Sequence, residues 1–258
     1  VASSGLILAS TSANAAFVIV EETFDGAGTA GLGGTTAETF DSAITTAGGS
    51  DTWTASGYFG DDGSYDALQT YQRGGHLNLG SYINGAKDTW EGKFELTATI
   101  SEVTTPGGGD WMSLGFNTSN TPSISSSATG SGIGTMIYRV GGDIDMFGGS
   151  ALTNEVAADD VTYSGPRTLT VALDLTTYSG YNGTTNFGTV TFSDSVAGEF
   201  GSYTYTSDVN FGSIFISGSN QVTGSWDDLT LTQVIPEPSS AALLGLGGLA
   251  LMLRRKRS

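Results

Sequence analysis

Short segments in which apolar and polar residues alternate make up much of the interior of the chain. In the segment KFELTATI, the residues that share one face are Phe94, Leu96, Ala98 and Ile100. A period of two is typical of β-strands that bury one face and expose the other, and no interior segment keeps a helical period of 3.6 over three turns. The same alternation recurs in Arg167–Leu175, Thr189–Phe192, Ser202–Tyr205 and Asp228–Thr232.

Clusters of turn-forming residues separate these segments, as in Pro106–Gly109, Gly141–Asp143 and Gly180–Gly183. Many short strands separated by such turns predict an all-β fold in which two antiparallel sheets pack face to face. The chain shows no repeat at a fixed spacing of about 20–50 residues, which argues against propellers and solenoids. Residues 117–132 (NTSNTPSISSSATGSG) predict a long surface loop between two strands.

Four pieces of sequence give the predicted sandwich a resemblance to a known fold. They are Glu22–Gly26, Trp90–Ala98 followed by Trp111–Phe116, Arg167–Asp174 and Trp226–Thr232. Their order resembles the concanavalin A-like jelly roll, which laminin-G-like domains, legume lectins and family 16 glucanases share. The resemblance implies one antiparallel β-sandwich domain over residues 16–234. A length of 258 residues suits one such domain.

The N-terminal residues have the features of an export signal. Gly5–Ala9 ends an apolar stretch, and Ala13–Ala15 fits the small-x-small rule for signal peptide cleavage. We therefore expect residues 1–15 to be the remnant of a signal peptide and the mature chain to begin at Ala16.

The C-terminal residues combine three features in a fixed order. Pro236, Glu237 and Pro238 precede the uncharged segment 239–253. With Pro238 this segment counts 16 residues, just under the ~17 that a short transmembrane helix needs. The charges that follow would stay on the cytoplasmic side. We expect a short transmembrane helix that is stopped by Arg254, Arg255, Lys256 and Arg257.

Residues 235–258 therefore resemble the PEP-CTERM sorting signal of Gram-negative bacteria. The resemblance implies recognition by an exosortase, a membrane-embedded transpeptidase, with cleavage near Pro236, Glu237 and Pro238. In this interpretation the three residues are a substrate motif, and the chain is released or transferred to the cell surface or an extracellular matrix. Before processing, the helix would hold the chain in the membrane.

Charge and composition exclude several classes of function. The formal net charge is −17, and the C-terminal cluster contributes four positive charges, so the rest of the chain carries −21. Such a chain repels phosphate backbones, which argues against nucleic-acid binding. The absence of cysteine excludes disulfides and thiolate sites. The five basic residues outside the cluster are Arg73, Lys87, Lys93, Arg139 and Arg167.

A test for glycoside hydrolysis comes from the carboxylates of the family 16 glucanases. The nearest match is the segment GDIDMFG, where Asp143 and Asp145 share a face but Phe147 stands where an acid/base carboxylate belongs. A retaining hydrolase needs two carboxyl groups about 5–5.5 Å apart. We therefore expect no catalytic residues here, although a hydrolase with other carboxylates stays an alternative. His76 is the lone histidine, and we expect it to be a packed or surface residue rather than a catalyst.

Calcium is the one cofactor for which the sequence offers a candidate. Asp61, Asp62 and Asp66 lie in a glycine-containing loop, and carboxylate oxygens are the ligands that calcium prefers. Solvated turn residues are the alternative interpretation, and otherwise we expect no cofactor.

Aromatic side chains are the candidates for contact with a polysaccharide, because their rings stack on the apolar faces of sugars. We interpret Trp90 and Trp226, by contrast, as core packing. The leading hypothesis is an exported, non-enzymatic surface protein that binds glycan, and a purely structural matrix component is a further alternative. The aromatic candidates are Trp53, Tyr58, Tyr65, Tyr71, Trp111, Tyr178 and Tyr181.

Overall fold

A computed structural model describes residues 14–25, 31–55, 64–65, 73–101, 111–119, 132–139, 143–160, 165–178, 186–218, 222 and 224–236. Its strands are β1 (Asn14–Glu22), β2 (Thr39–Phe40), β3 (Thr54–Ala55), β4 (Ser64–Tyr65), β5 (Arg73–Asn78), β6 (Lys93–Ile100), β7 (Trp111–Asn117), β8 (Gly132–Arg139), β9 (Asp143–Phe147), β10 (Glu155–Asp160), β11 (Arg167–Asp174), β12 (Thr189–Asp194), β13 (Gly198–Thr204), β14 (Ser213–Gly218) and β15 (Gly224–Pro236). The helices are α1 (Ser42–Thr46), α2 (Tyr82–Gly85) and a single 3-10 turn at Ser150–Leu152.

Two antiparallel sheets form the molecule, which confirms the predicted β-sandwich. The eight-stranded sheet runs β13-β12-β11-β6-β15-β1-β2, and β4 also pairs with β15. The seven-stranded sheet runs β10-β9-β8-β7-β14-β5-β3. Neighbours in both sheets come from distant parts of the sequence, so the fold depends on long-range pairing.

The alternating segments behave as predicted in the eight-stranded sheet. Every second residue of β6 and β11 is buried against the facing sheet, and the residues between them are partly exposed. The exposed face is rich in threonine, and hydroxyl pairs such as Thr97–Thr230, 2.6 Å apart, join neighbouring strands. The apolar faces of the two sheets together form the main core.

The central strands of the seven-stranded sheet depart from the expected pattern. We expect half-buried strands on both sheets, but every residue of β7 and β14 is buried. The physical reason is a second apolar cluster on the side of this sheet that faces away from the main core. Period-two alternation of polarity therefore fails here, because both faces are shielded from water.

The last described strand, β15, lies in the middle of the eight-stranded sheet. It pairs with β6 on one side and with β1 on the other, and its ladder with β1 extends to Asn14 and Pro236. The described sandwich thus extends two residues beyond each end of the predicted range 16–234. Cleavage after Ala15 stays a prediction, and it would leave Ala16 opposite Val234 as the terminal pair.

No helix in the described ranges is long and apolar enough to cross a membrane. The predicted helix at 239–253 lies outside the described residues, as do Glu237, Pro238 and the basic cluster at 254–257. Of the long loop predicted at 117–132, the structure places residues at both ends in strands β7 and β8, and residues 120–131 lie outside the described ranges.

Each of the four basic side chains that the structure describes forms an ion pair with a carboxylate. Arg167 and Asp194 differ from the others because both side chains have no exposed surface, and Nη1 of Arg167 lies 2.9 Å from Oδ2 of Asp194. Asp194 also accepts the backbone amide of Val196 at the turn after β12. The other pairs are Lys87–Asp208, Lys93–Asp174 and Arg139–Asp145.

Replacing Arg167 with methionine is expected to lower the free energy of unfolding by about 3–5 kcal/mol, because Asp194 would remain as a buried charge without its partner. Lys93→Met is the matched control, since the Lys93–Asp174 pair is 41% and 43% exposed. It should cost at most about 1 kcal/mol. Denaturant unfolding of both variants measures the difference, and equal losses would contradict the assignment.

Candidate outer-face site

The side of the seven-stranded sheet that faces away from the main core, called here the outer face, gathers polar and aromatic side chains. Alternation along each strand places these residues opposite the core-facing ones. Although the face lies on the outside of the sandwich, its central side chains are buried. Its main members are His76, Trp111, Ser113, Asn117, Thr135, Ile137, Phe147, Phe215 and Ser217.

One row of residues crosses the outer face from β5 to β9. Strand register places His76 beside Phe215, Phe215 beside Gly115, Gly115 beside Thr135 and Thr135 beside Phe147. Gly115 lies between Phe215 and Thr135 in this row and contributes no side chain to it. A Cβ atom at this position would approach the backbone oxygen of Gly134 to 2.8 Å, so the close approach of β8 requires glycine.

The apolar half of the outer face has a described cover. Trp111, Ile137, Phe147 and Phe215 form a cluster, and Leu152 packs against it from the 3-10 turn after β9. Leu152 has a left-handed backbone with φ of 54°, which for a leucine costs on the order of 1–3 kcal/mol. The contact with the cluster offsets this strain.

The polar half of the outer face contains buried atoms with unmet hydrogen-bonding capacity. Nδ1 of His76, Nδ2 of Asn117 and Oγ1 of Thr135 are buried and have no hydrogen-bond partner among the described residues. Each such atom costs roughly 1–3 kcal/mol unless a partner satisfies it. By contrast, the hydroxyls of Ser113 and Ser217 satisfy each other at 2.6 Å. Three unsatisfied atoms on one face therefore indicate a place for a polar ligand.

His76 is neutral at physiological pH. Burial lowers the pKa of His76 from 6.5 to about 4, because the protein interior disfavours the imidazolium cation. A neutral imidazole carries one donor and one acceptor nitrogen. The ring suits a neutral hydrogen-bonding group better than an anion.

One of the two carboxylates of β9 is engaged in an ion pair. Asp145 accepts a hydrogen bond from Nε of Arg139, and Phe147 lies in the apolar cluster instead of supplying a second carboxylate. In the part of the chain that the structure describes, no three histidine or acidic side chains are grouped as metal ligands. Asp61, Asp62 and Asp66 lie outside the described residues, so the calcium site stays a prediction.

Two aromatic side chains that were candidates for contact with a sugar pack against the main core instead, Trp53 fully buried and Tyr178 partly buried. Trp53 is 1% exposed, and its indole N–H donates to Glu22 at 3.0 Å. Tyr178 packs edge-to-face on Phe187, with ring centroids 5.5 Å apart. Trp111 is the predicted aromatic residue that lies on the outer face. Tyr58, Tyr71, Tyr181 and the side chain of Tyr65 are outside the described residues.

Of the two tryptophans interpreted as core packing, one prediction is confirmed and one is wrong. Trp226 is 1% exposed, whereas Trp90 is 58% exposed. Trp90 lies in the turn before β6, where the alternating pattern has not yet begun. Proximity to a strand in sequence did not imply burial.

An open groove on the eight-stranded sheet is a weaker candidate. It has a volume of about 300 Å³ and is lined by residues that include Lys93, Glu95, Asp174 and Thr191. The charges of Lys93 and Asp174 already satisfy each other across 2.9 Å. The groove therefore lacks the unmet hydrogen-bonding capacity of the outer face.

Comparison with known proteins identifies the C-terminal segment. Residues 234–257 match the PEP-CTERM protein-sorting motif. This motif marks the protein for export and for sorting by an exosortase to the cell envelope. The PEP-CTERM motif begins at Val234, inside β15, and no curated protein matches the chain.

Solved structures similar to the sandwich include the three described in this paragraph. The Emp46p carbohydrate recognition domain in its metal-free form shares 11% identity over 69% of this chain and 87% of its own, with a TM-score of 0.43. The VIP36 exoplasmic/lumenal domain in its Ca²⁺/Man3GlcNAc-bound form shares 11% identity over 72% of this chain and 86% of its own, with a TM-score of 0.44. Lectin II from Ulex europaeus shares 13% identity over 66% of this chain and 86% of its own, with a TM-score of 0.36.

The single histidine of the chain allows a direct test of the site's polarity. Because burial lowers the pKa of His76 to about 4, its NMR signals should not titrate between pH 5 and 8. The unfolded chain binds this proton below about pH 6.5, so folding stability should fall as the pH drops from there towards 4. His76→Gln should remove that part of the pH dependence. A titration midpoint near 6.5 would contradict the buried environment.

Proposed function

We propose that this protein is exported by a Gram-negative bacterium, sorted by an exosortase to the cell surface or matrix, and binds a glycan there without acting on it. The outer face supports the glycan-binding part of the proposal. It places three unsatisfied polar atoms beside aromatic rings, and saccharides offer both hydroxyl groups and apolar ring faces. The exposed Thr-rich face of the other sheet has no comparable group of buried atoms among its described residues.

The charges of the protein favour a neutral saccharide. All four described basic side chains are paired with carboxylates, and the chain outside its C-terminal cluster carries −21. An anionic glycan would therefore meet repulsion, with no unpaired cation among the described side chains to compensate for it. His76 is uncharged and would exchange hydrogen bonds with sugar hydroxyls.

Ligand entry requires the outer face to open, because its side chains are buried. Leu152 and the 3-10 turn that carries it are the described part of the cover. Since Leu152 has strained backbone geometry, displacing the turn would release that strain and so offset part of the free energy that opening requires. In this proposal the apolar cluster under Leu152 becomes the stacking surface for a sugar ring.

Thr135→Val is the most informative variant, because stability and binding should change in opposite directions. Valine removes a buried hydroxyl that has no described partner, so the free energy of unfolding of the variant should be about 1–3 kcal/mol higher. Glycan affinity, measured by calorimetry with a ligand chosen on a glycan array, should fall at least about tenfold if a hydrogen bond of about 1.4 kcal/mol is lost.

Thr191→Val on the open face of the eight-stranded sheet is the control and should leave the affinity unchanged. Loss of affinity in the Thr191 variant alone would place the site in the groove. A glycan array without any binding would contradict the proposal and favour a structural matrix component. Release of reducing sugar from a bound glycan would show instead that the protein is a hydrolase.

Processing is tested on protein recovered from the native host. Mass spectrometry should find the mature N-terminus at Ala16 and a C-terminus near Pro236, Glu237 and Pro238. The segment 239–258 should be absent from extracellular protein. Intact extracellular chains that extend to Ser258 would contradict sorting by cleavage.

A further inference from the structure

One end of the sandwich carries an unusual share of the exposed apolar surface. Among the described residues four large apolar side chains are exposed, and three of them, Phe17, Val18 and Trp90, lie at this end. They are 50%, 38% and 58% exposed. Single exposed apolar residues are ordinary, whereas a group of them marks a contact surface.

Gln233 lies between Phe17 and the turn that carries Trp90, whereas Val18 points to the other face of the sheet. Strand register places Phe17 opposite Gln233 and Val18 opposite Thr232. The side-chain amide of Gln233 donates to the backbone oxygen of Glu91 at 2.7 Å, which fixes the turn that carries Trp90. We name the group Phe17, Val18 and Trp90 the apolar end.

The apolar end lies close to the point where the sorting tail leaves the sandwich. Gln233 precedes Pro236, the last residue of β15, by three positions. Three further residues lead to Ser239, where the uncharged segment begins. A fully extended chain covers at most about 3.6 Å per residue, so these three residues span roughly 11 Å or less.

We infer that the apolar end rests on the lipid bilayer while the tail is uncleaved, with Trp90 and Phe17 among the lipid headgroups. The inference rests on the proposed role of residues 239–253 as a membrane tether. A spacer of about 11 Å cannot hold the sandwich away from a bilayer in which the tether is inserted. Tryptophan is the residue that most favours this interface, because its ring is apolar and its N–H is polar.

Tryptophan fluorescence can test this contact in the full chain. All four tryptophans are described, and Trp53, Trp111 and Trp226 are buried, so Trp90 is the accessible reporter. The protein is reconstituted into phosphatidylcholine vesicles whose acyl chains carry bromine, a short-range quencher. We expect a loss of Trp90 emission in brominated vesicles and a shift to shorter wavelength in unbrominated ones. Trp90→Phe should remove both effects.

A matched control uses the opposite end of the sandwich. Val196 is 54% exposed in the turn after β12, and that turn lies at the end where β6 finishes, whereas Trp90 lies where β6 begins. The variant Val196→Trp in a Trp90→Phe background should be quenched by aqueous acrylamide and not by brominated lipid.

The outcomes separate this inference from the proposed function. If the full chain fails to float with the vesicles, the tether is wrong, and the inference fails with it. If the chain floats but Trp90 is quenched no more than the tryptophan introduced at position 196, the membrane contact alone is wrong. If Trp90 is shielded only at high protein-to-lipid ratio and without bromine quenching, a second copy covers the apolar end, and that result also overturns the inference.

Discussion

The pairing of β15 in the middle of the eight-stranded sheet is the constraint on which the rest of the structure depends. This strand joins β6 to β1, so the N-terminal and C-terminal ends of the described chain share one ladder. The sandwich cannot close until its last strand is available, because β1 has no other long partner in the described sheet. Since the PEP-CTERM motif begins inside the same strand, the sorting signal overlaps the last strand of the folded domain.

The outer face groups buried polar atoms that lack hydrogen-bond partners among the described residues. His76, Asn117 and Thr135 each keep one such atom there, at a cost to stability. In the main core the described atoms of this kind are Oη of Tyr205 and Nε1 of Trp226. Places where a sequence departs from self-consistent packing are often functional sites. The grouping of three such atoms on one sheet face, rather than an exposed aromatic surface, is what distinguishes the candidate site.

The local parts of this structure could be predicted from sequence, and the long-range parts could not. Alternation in β6 and β11 identified core residues correctly, because each strand has one buried face and one face towards solvent. The same rule fails in β7, where Ser113 and Asn117 are buried on the second face. His76 and Thr135 come together through pairings among β5, β14, β7 and β8, and no local pattern encodes those registers. The sorting motif was readable because it is contiguous.

Amide hydrogen exchange along β15 measures the central constraint most directly. In the native full chain, the amides of Thr230–Gln233 lie between two neighbouring strands. We expect them to exchange as slowly as those of β6, through global unfolding. Exchange of these amides at the rate of an unstructured chain, while β6 and β11 stay protected, would show that the sandwich forms without β15 and would contradict the account.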